Sequence, residues 1–519
     1  MLFLFQERQR IANFKYFRQP KPKERLPFYK KPIICRGEFI VKKMLLILIN
    51  LGLGFIFIGC TPQEQTTTEL SVTEQVQALQ NPYMIMLFIT DDATSSIGIN
   101  FELPTDAQGF VEYRKLGDAE FVSVPAVKKE TIVGDDNVYL YEKTLSNLFP
   151  NTIYEYRIGD EDSLYKSEIY QFKTAQLNSE ATTFMLLSDP QGSDAIDYMT
   201  YANNVIRVLG EAQKNVDFVM FTGDVVNDDD NRTQWNLFFK YSSTFAYNIP
   251  VATTAGNHET GSIFDLQIQS IEYDGYFHLP KNGPTYNEFD EIENDERTAT
   301  FDKGKTYSYD YGYAHYVAID TELFSGDDGV IGSVDEENMN IFINWLTADL
   351  ITNADKWIIV YLHRGPYSLT YNSFNVRQRL SPIFDQYGVD LVISGHDHRY
   401  SRAVIFQGMM IPFTTSNTYL DGSINLIIDE SYVRNFNDYS SSLGVTYFVG
   451  NASGTKFYGE TADPEMEVPY LYYGENTVIP FFTITEETIE VVSYVIKKSA
   501  DTVLFPDSIS ILDAFIIRK

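Results

Sequence analysis

A chain of 519 residues with 44% apolar and 15% aromatic content is too long for one ordinary core and too apolar to be disordered, so at least two folded domains are expected. Residues 1–60 hold 12 Lys and Arg against 3 Asp and Glu, which leaves 28 basic and 68 acidic residues in 61–519 and a net charge of −40 there. So acidic a body repels polyanions: nucleic acid is excluded as a partner, and an anionic substrate needs a local cationic trap.

The chain opens on what reads as an address. "VKKMLLILINLGLGFIFIGC" (41–60) has two lysines, an apolar run of about 16 residues and then Gly59-Cys60, the pattern of an export signal. Its ending "FIGC" resembles a bacterial lipoprotein cleavage box. That resemblance implies lipidation of Cys60 and a lipid-anchored protein at the bacterial cell surface or elsewhere outside the cytoplasm; a plain signal anchor is the alternative. Residues 1–40 are basic, lie ahead of a start at Val41 or Met44, and are set aside from the fold. The two cysteines, Cys35 and Cys60, both belong to this leader. The rest of the chain therefore has no disulfide, no thiolate metal site and no cysteine nucleophile. Residues 61–79 are rich in Thr and Gln and read as a linker.

From 80 to 176 the pattern is all-β. "YMIMLFIT", "SIGINFEL", "GFVEYRK", "VYLYEKTL", "IYEYRIG" and "IYQFKTA" are short β-branched and aromatic runs separated by turn clusters such as "PTDAQG" and "FPNT". Their length and spacing predict a β-sandwich. "LFPNTIYEYRIGD" resembles the turn and strand of a fibronectin type III module, with Tyr154 or Tyr156 as its corner tyrosine.

The period changes near 180. Apolar strands are expected at 182–188, 217–223, 249–256, 314–320, 357–363 and 389–395. Between them helices are expected at 198–214, 233–245, 336–351 and 375–387. The first helix would present Ala202, Val205, Ile206 and Leu209 on one face. This alternation predicts an α/β layered core over 180–404. Residues 405–519 are strand-rich again and are expected to complete a sheet of the same domain.

Each strand runs into a ligand-type residue at its carboxyl end. "MLLSDPQG" delivers Asp189, "VMFTGDVVND" Asp224, and "ATTAGNHE" Asn257, His258 and Glu259. "IIVYLHRGPY" delivers His363, and "LVISGHDH" His396 and His398. In open α/β sheets, sites form in the crevice at those ends. Oxygen and imidazole donors without thiolate favour borderline divalent ions such as Mn, Zn or Fe over Ca. One carboxylate can bridge two ions about 3.5–4 Å apart, a pair that acidifies bound water.

The ordered series Asp189, "GD" (223–224), "GNHE" (256–259), "LH" (362–363) and "GHDH" (395–398) resembles the calcineurin-type metallophosphoesterase signature. With the fibronectin-like module ahead of it, most of residues 80–519 resembles the purple acid phosphatase family, including "YSYDYGYAHYVAID" and the closing "DAFIIRK". The resemblance implies a four-layer sandwich of two central mixed sheets flanked by helices. It implies two divalent or trivalent ions (Fe, Mn or Zn) and hydrolysis of small phosphate monoesters by metal-hydroxide attack. Carried over, Asp224 bridges both ions, Asp189 and His398 serve one, and Asn257, His363 and His396 serve the other. His258 faces the substrate and protonates the leaving group, and Glu259 orients His258 by a hydrogen bond.

Two positions depart from that pattern. The family's tyrosine three residues after the bridging aspartate is Asn227 here, itself a candidate metal ligand, so no tyrosinate–ferric colour is expected. Where many relatives have Asp-x-His, Gln191 stands, supplying either an amide oxygen to the metal or a place for water. Other residues have plain readings beside functional ones. Arg364 is a candidate phosphate clamp or a surface ion pair. His278 is a candidate substrate contact from an irregular 260–312 segment long enough to be a lid. Asp397 is expected behind the ligands or facing solvent, and His315 in the core. Tyr367 and Tyr400 line the mouth or simply pack. Asp228, Asp229 and Asp230 add a ligand or solvate the surface. Phosphodiester or nucleotide pyrophosphate hydrolysis, and an adhesion lipoprotein with a degenerate phosphoesterase domain, remain alternatives.

Overall fold

The computed structural model describes residues 83–519 except 105, 134–135, 162–165, 177–180, 264–265, 270, 288–304, 324–335, 369, 372, 411–436, 459–469, 473 and 498–507. The leader and linker expected over residues 1–79 lie outside the described residues, as does part of the 260–312 segment. Among the described residues, no helix is long and apolar enough to cross a membrane.

The first module is a β-sandwich. One sheet orders Tyr83–Phe88, Ile97–Leu103, Asp136–Leu145 and Val127–Val133; the other orders Val122–Pro125, Gly109–Lys115, Ile153–Asp160 and Tyr170–Lys173. Period-2 alternation drives the packing. Along Ile153–Asp160, Tyr154, Tyr156 and Ile158 turn inward onto Phe101, Val111 and Phe172 while their neighbours face out. The corner tyrosine is Tyr154, whose hydroxyl accepts from Phe149 N at 2.9 Å. Tyr156 instead reaches outside the sandwich, where its hydroxyl donates to Tyr247 O at 2.8 Å.

The second module is built on two sheets packed face to face. The first sheet runs Asp438–Ser440, Ser508–Arg518, Thr488–Lys497, Thr477–Ile484, Thr182–Leu187, Phe218–Phe221 and Val251–Thr253. It does not stop there. Val251 pairs with Phe88, so the sheet continues into the sandwich and reaches eleven strands. The second sheet runs Tyr307–Tyr311, Ala314–Ile319, Trp357–Leu362, Leu391–Ser394, Val445–Val449, Tyr400–Phe406 and Met409–Met410. The C-terminal run thus completes both sheets, not one.

Parallel strands buried on both faces read as unbroken apolar runs, which is how these appear. Tyr316, Ala318, Ile359 and Tyr361 face the first sheet, while Val317, Ile319, Ile358 and Val360 face the Glu336–Thr352 and Phe374–Tyr387 helices. The Ala195–Ala212 and Arg232–Ala246 helices cover the first sheet's other face. Much of the aromatic content lies between the sheets: Phe184 stacks on Phe482 (4.7 Å) and meets Tyr316 edge-on (5.9 Å). Tyr307 Oη donates to Thr253 O across that seam at 2.7 Å.

The Ala195–Ala212 helix starts at Asp194, whose carboxylate accepts from Ile196 N and Asp197 N. Its inner stripe is Tyr198, Tyr201, Ala202, Val205 and Val208, and Ile206 is 48% exposed. The expected face is off by about one residue's rotation, because the two tyrosine rings, spaced i and i+3, take the inner stripe.

Candidate metal centre

The carboxyl ends of parallel strands from both sheets meet at one place. Thr182–Leu187 leads to Asp189, Phe218–Phe221 to Asp224, Val251–Thr253 to Asn257–Glu259, Trp357–Leu362 to His363, and Leu391–Ser394 to His396 and His398. Ser453 N donates to Ser188 O at 2.7 Å, joining a loop of the second sheet to one of the first beside this point. Nine described non-glycine residues have positive φ, and four are Asp189 (46°), Asp224 (53°), His396 (69°) and His398 (48°). Strain of that kind persists where the surroundings enforce it, and here it concentrates on candidate ligands. Gly223 (φ 88°) allows the loops to touch: a Cβ there would lie 2.7 Å from Gly256 N and 2.8 Å from His363 Nδ1.

Two donor groups form around a shared carboxylate, Asp224 with His363 and His396, and Asp224 with Asp189 and His398. All five side chains are buried, and within each group the ligand atoms lie within 4.8 Å of one another. Hydrogen bonds at the far side of two rings fix their tautomers. His363 Nδ1 donates to Thr222 O at 2.7 Å and His398 Nδ1 to Lys456 O at 2.6 Å. A nitrogen facing a carbonyl carries the hydrogen, so in the neutral ring the lone pair is on Nε2. His363 Nε2 then faces Asn257 Oδ1 (3.0 Å) and Asp224 Oδ1 (3.3 Å), and His398 Nε2 faces Asp189 Oδ1 (3.4 Å). Inward lone pairs and carboxylates, with amide oxygen beside them, suit borderline divalent or trivalent ions.

The electrostatics agree. Burial disfavours a charge on His363, but Asp224 and Asp189 outweigh it and raise its pKa to about 10. Burial likewise opposes ionisation of Asp224, yet His363 and His258 hold it well below the usual carboxylate range. Asp189 is pushed up, by burial first and by Asp224 as well. Two buried carboxylates this close favour positive charge beside them. His396 is held well below the ordinary imidazole value by burial and by Arg364.

Several neighbours differ from expectation. Glu259 does not reach His258. Its carboxylate accepts from Asp224 N (2.8 Å), Val225 N (2.6 Å), Val226 N (3.2 Å) and Gly256 N (2.7 Å), so it fixes the loop of Asp224 instead. His258 is oriented by Asn227 O, 2.6 Å from its Nδ1, and its own N donates to Asp224 Oδ1 at 3.0 Å. Asn227 thus serves through its backbone; its side-chain amide donates to Asp228 at 3.2 Å. Gln191 lies with one end of its amide 3.0 Å from Asp224 Oδ2 and the other 2.8 Å from Lys456 Nζ. Only nitrogen toward the carboxylate and oxygen toward the lysine satisfy both, which makes it a hydrogen-bond partner there and offers no oxygen beside Asp224.

Arg364 is neither a surface ion pair nor an open clamp. It is buried, its Nε pairs with Glu322 at 2.9 Å, and Nη1 reaches His396 Nε2 at 3.2 Å. His278 belongs to the sandwich contact and not to the site: Nδ1 meets Glu142 Oε2 at 2.8 Å and Nε2 meets Thr144 Oγ1 at 2.7 Å. Asp397 is buried and accepts from Ser368 Oγ and Thr370 N. Tyr367 and Tyr400 pack, against Tyr447 and Phe448. The Asp228 carboxylate accepts from Gln234 Nε2 at 2.6 Å. His315 is in the core as expected, between Asp310 and Asp349.

Residues the sequence did not flag complete the mouth. The Tyr371 ring lies 4.5 Å from that of His396, the Tyr458 ring 4.4 Å from that of His398, and the two tyrosines meet edge-on at 5.9 Å. Burial, then Tyr371, Asp189 and Asp224 raise the Tyr458 phenol. Lys456 Nζ lies 3.3 Å from His258 Nε2.

Two packed mixed sheets that bring buried aspartates and histidines together at their strand ends define a metallophosphoesterase architecture. Residues 182–400 match the calcineurin-like phosphoesterase family, and residues 82–174 match the purple acid phosphatase N-terminal domain. Residues 182–400 are a calcineurin-like metallophosphoesterase domain, with a purple acid phosphatase N-terminal domain ahead of it. It is 26% identical over 368 residues to "Probable inactive purple acid phosphatase 1" of Arabidopsis thaliana, covering 64% of this chain and 56% of that one. It is 25% identical over 291 residues to an "Acid phosphatase" of Aspergillus ficuum, covering 45% and 44%. The chain thus spans about half the length of these curated relatives. A solved purple acid phosphatase from yellow lupin (Lupinus luteus) seeds shares the fold at a TM-score of 0.60, with 18% identity over 85% of this chain and 74% of that one.

Proposed function

We propose that the chain hydrolyses small phosphate monoesters with two metal ions (Fe, Mn or Zn), held by Asp189, Asp224, Asn257, His363, His396 and His398. The observation that carries this reading is the pair of donor groups sharing Asp224. When bound, such ions supply positive charge toward phosphoryl oxygens and acidify water. The protein's own groups do the rest. Thr222 O and Lys456 O aim two imidazoles. Glu259 fixes the turn of Asp224 through four amides. Arg364, paired with Glu322, holds His396. His258, held at Nδ1 by Asn227 O, turns Nε2 toward the mouth as the group that protonates the leaving oxygen. The "Acid phosphatase" relative supports the activity, and the relative named "probable inactive" makes it the point to test.

Metal analysis of the purified chain, followed by rates on a monoester, a diester and a nucleoside triphosphate, tests this. Two ions per chain and fastest turnover of the monoester are expected. Full metal with no turnover of any of the three would sink it, and a faster diester or triphosphate would reassign the substrate. The same proposal places the chain outside the cytoplasm on a lipid anchor at Cys60, supported by "FIGC" and the apolar run before it. A Cys60→Ser variant should then lose acylation, and unchanged membrane partition would count against the anchor.

A further inference from the structure

We infer that Lys456 is the cation that receives the phosphoryl group beside the metal centre, and that it favours dianionic monoesters over monoanionic diesters. The inference rests on the phosphoesterase reading and adds a residue and a substrate charge to it.

Lys456 lies on the loop after Val445–Val449, a further parallel strand whose carboxyl end reaches the site. Its backbone is pinned from several sides. Ser453 N and Oγ both donate to Ser188 O (2.7 and 2.8 Å), and Thr455 Oγ1 donates to Asp197 Oδ1 at 2.7 Å. Lys456 O accepts from His398 Nδ1 at 2.6 Å. The chain therefore has little freedom to move this side chain elsewhere.

The ammonium faces acceptors on the substrate side. Lys456 Nζ lies 3.3 Å from His258 Nε2, which is also 3.2 Å from the Gln191 amide oxygen. The Gln191 amide, with its nitrogen turned to Asp224, accepts from Nζ through its oxygen at 2.8 Å. An ammonium has three hydrogens, and these contacts leave at least one for a ligand. Among the described residues Lys456 forms no ion pair with a carboxylate, whereas Arg364, also beside the cluster, is engaged with Glu322. A cation with no carboxylate at ion-pair distance stands out in a body of charge −40. Its position against His258 makes it a ready partner for an incoming anion. A monoester carries one more non-bridging oxygen and one more negative charge than a diester. Charge-assisted hydrogen bonds strengthen with that charge, so the ammonium discriminates between the two.

The test compares Lys456→Met and Lys456→Arg with wild type in the full chain. Met keeps the length and the backbone carbonyl that holds His398, and removes only the charge. Metal content should be unchanged. In the Met variant kcat/KM for 4-nitrophenyl phosphate should fall about 100-fold and that for bis(4-nitrophenyl) phosphate less than about 3-fold, with partial recovery in the Arg variant. Inorganic phosphate should bind the metal-loaded Met variant about 10-fold more weakly by calorimetry. Equal loss on both esters, unchanged phosphate affinity, or metal loss in the Met variant would each overturn the inference; metal loss would mean that the residue acts only through His398. If fully metallated wild type hydrolyses neither ester, the phosphoesterase reading fails, and the phosphate titration still decides whether Lys456 is an anion site.

Discussion

Two buried histidines on neighbouring strands of one sheet have opposite chemistry. His315, at the start of Ala314–Ile319, has a carboxylate on each nitrogen: Asp310 at 2.8 Å and Asp349 at 2.7 Å. His363, just past Trp357–Leu362, has a carbonyl on one nitrogen and a cluster of oxygens on the other. Burial and nearby acids do not separate them, since both have them. The partner of Nδ1 does. Carboxylates at both nitrogens hold a hydrogen at each end of the His315 ring; with a carbonyl at Nδ1, the neutral His363 ring carries its lone pair at Nε2, among the oxygens of Asn257 and Asp224. The first arrangement locks a hairpin to a helix, and the second sets up a candidate ligand.

The harshest way to break this contrast is Asp224→Asn. It removes the shared carboxylate, so both donor groups should lose metal and turnover should fall by about 10³-fold or more, read by elemental analysis and steady-state rates. Retained metal would show that the groups are independent. Next is Arg364→Met, which strands the buried Glu322 carboxylate and frees His396. A loss of about 3 kcal/mol in urea and a 10–100-fold weaker metal affinity are expected. Adding Glu322→Gln should return most of the stability but not the affinity.

At the other end of the sheet, His315→Gln should destabilise the fold by about 2 kcal/mol near pH 6 with metal content unchanged. Burial opposes the charge, but Asp310 and Asp349 raise the folded pKa above its unfolded value. The contribution is therefore complete below about pH 6.5 and is lost as pH rises through the raised folded value. The gap between wild type and variant should narrow toward pH 9 in thermal melts; a widening gap would reverse the sign. The mildest change is Tyr156→Phe, which deletes one bond between sandwich and core and should cost about 1 kcal/mol with turnover intact.

The strands and the candidate ligands were legible because apolar runs and their terminal polar residues are local features of the chain. Asp189, Asp224, His363, His396 and His398 each follow such a run directly. What was hidden depends on partners that leave no pattern. Glu259 binds amides, and every residue has one, so nothing in "GNHE" distinguishes a loop clamp from a partner of His258. Lys456 and Tyr458 reach the site from a loop without periodicity. His278 sits in an irregular stretch, and its partners Glu142 and Thr144 lie 136 and 134 residues away in sequence. Ile206 was misplaced because the ring pair Tyr198 and Tyr201 rotates its helix by tertiary packing, which no count of apolar spacing contains.

The single pairing of Phe88 with Val251 has a consequence for any attempt to trim this protein. Cutting away the first module would leave the backbone of Val251 unpaired at the border of the first sheet, a template on which two truncated molecules could join. The sandwich is thus also a selvedge, finishing the fabric of the metallophosphoesterase half where it would otherwise fray into aggregates.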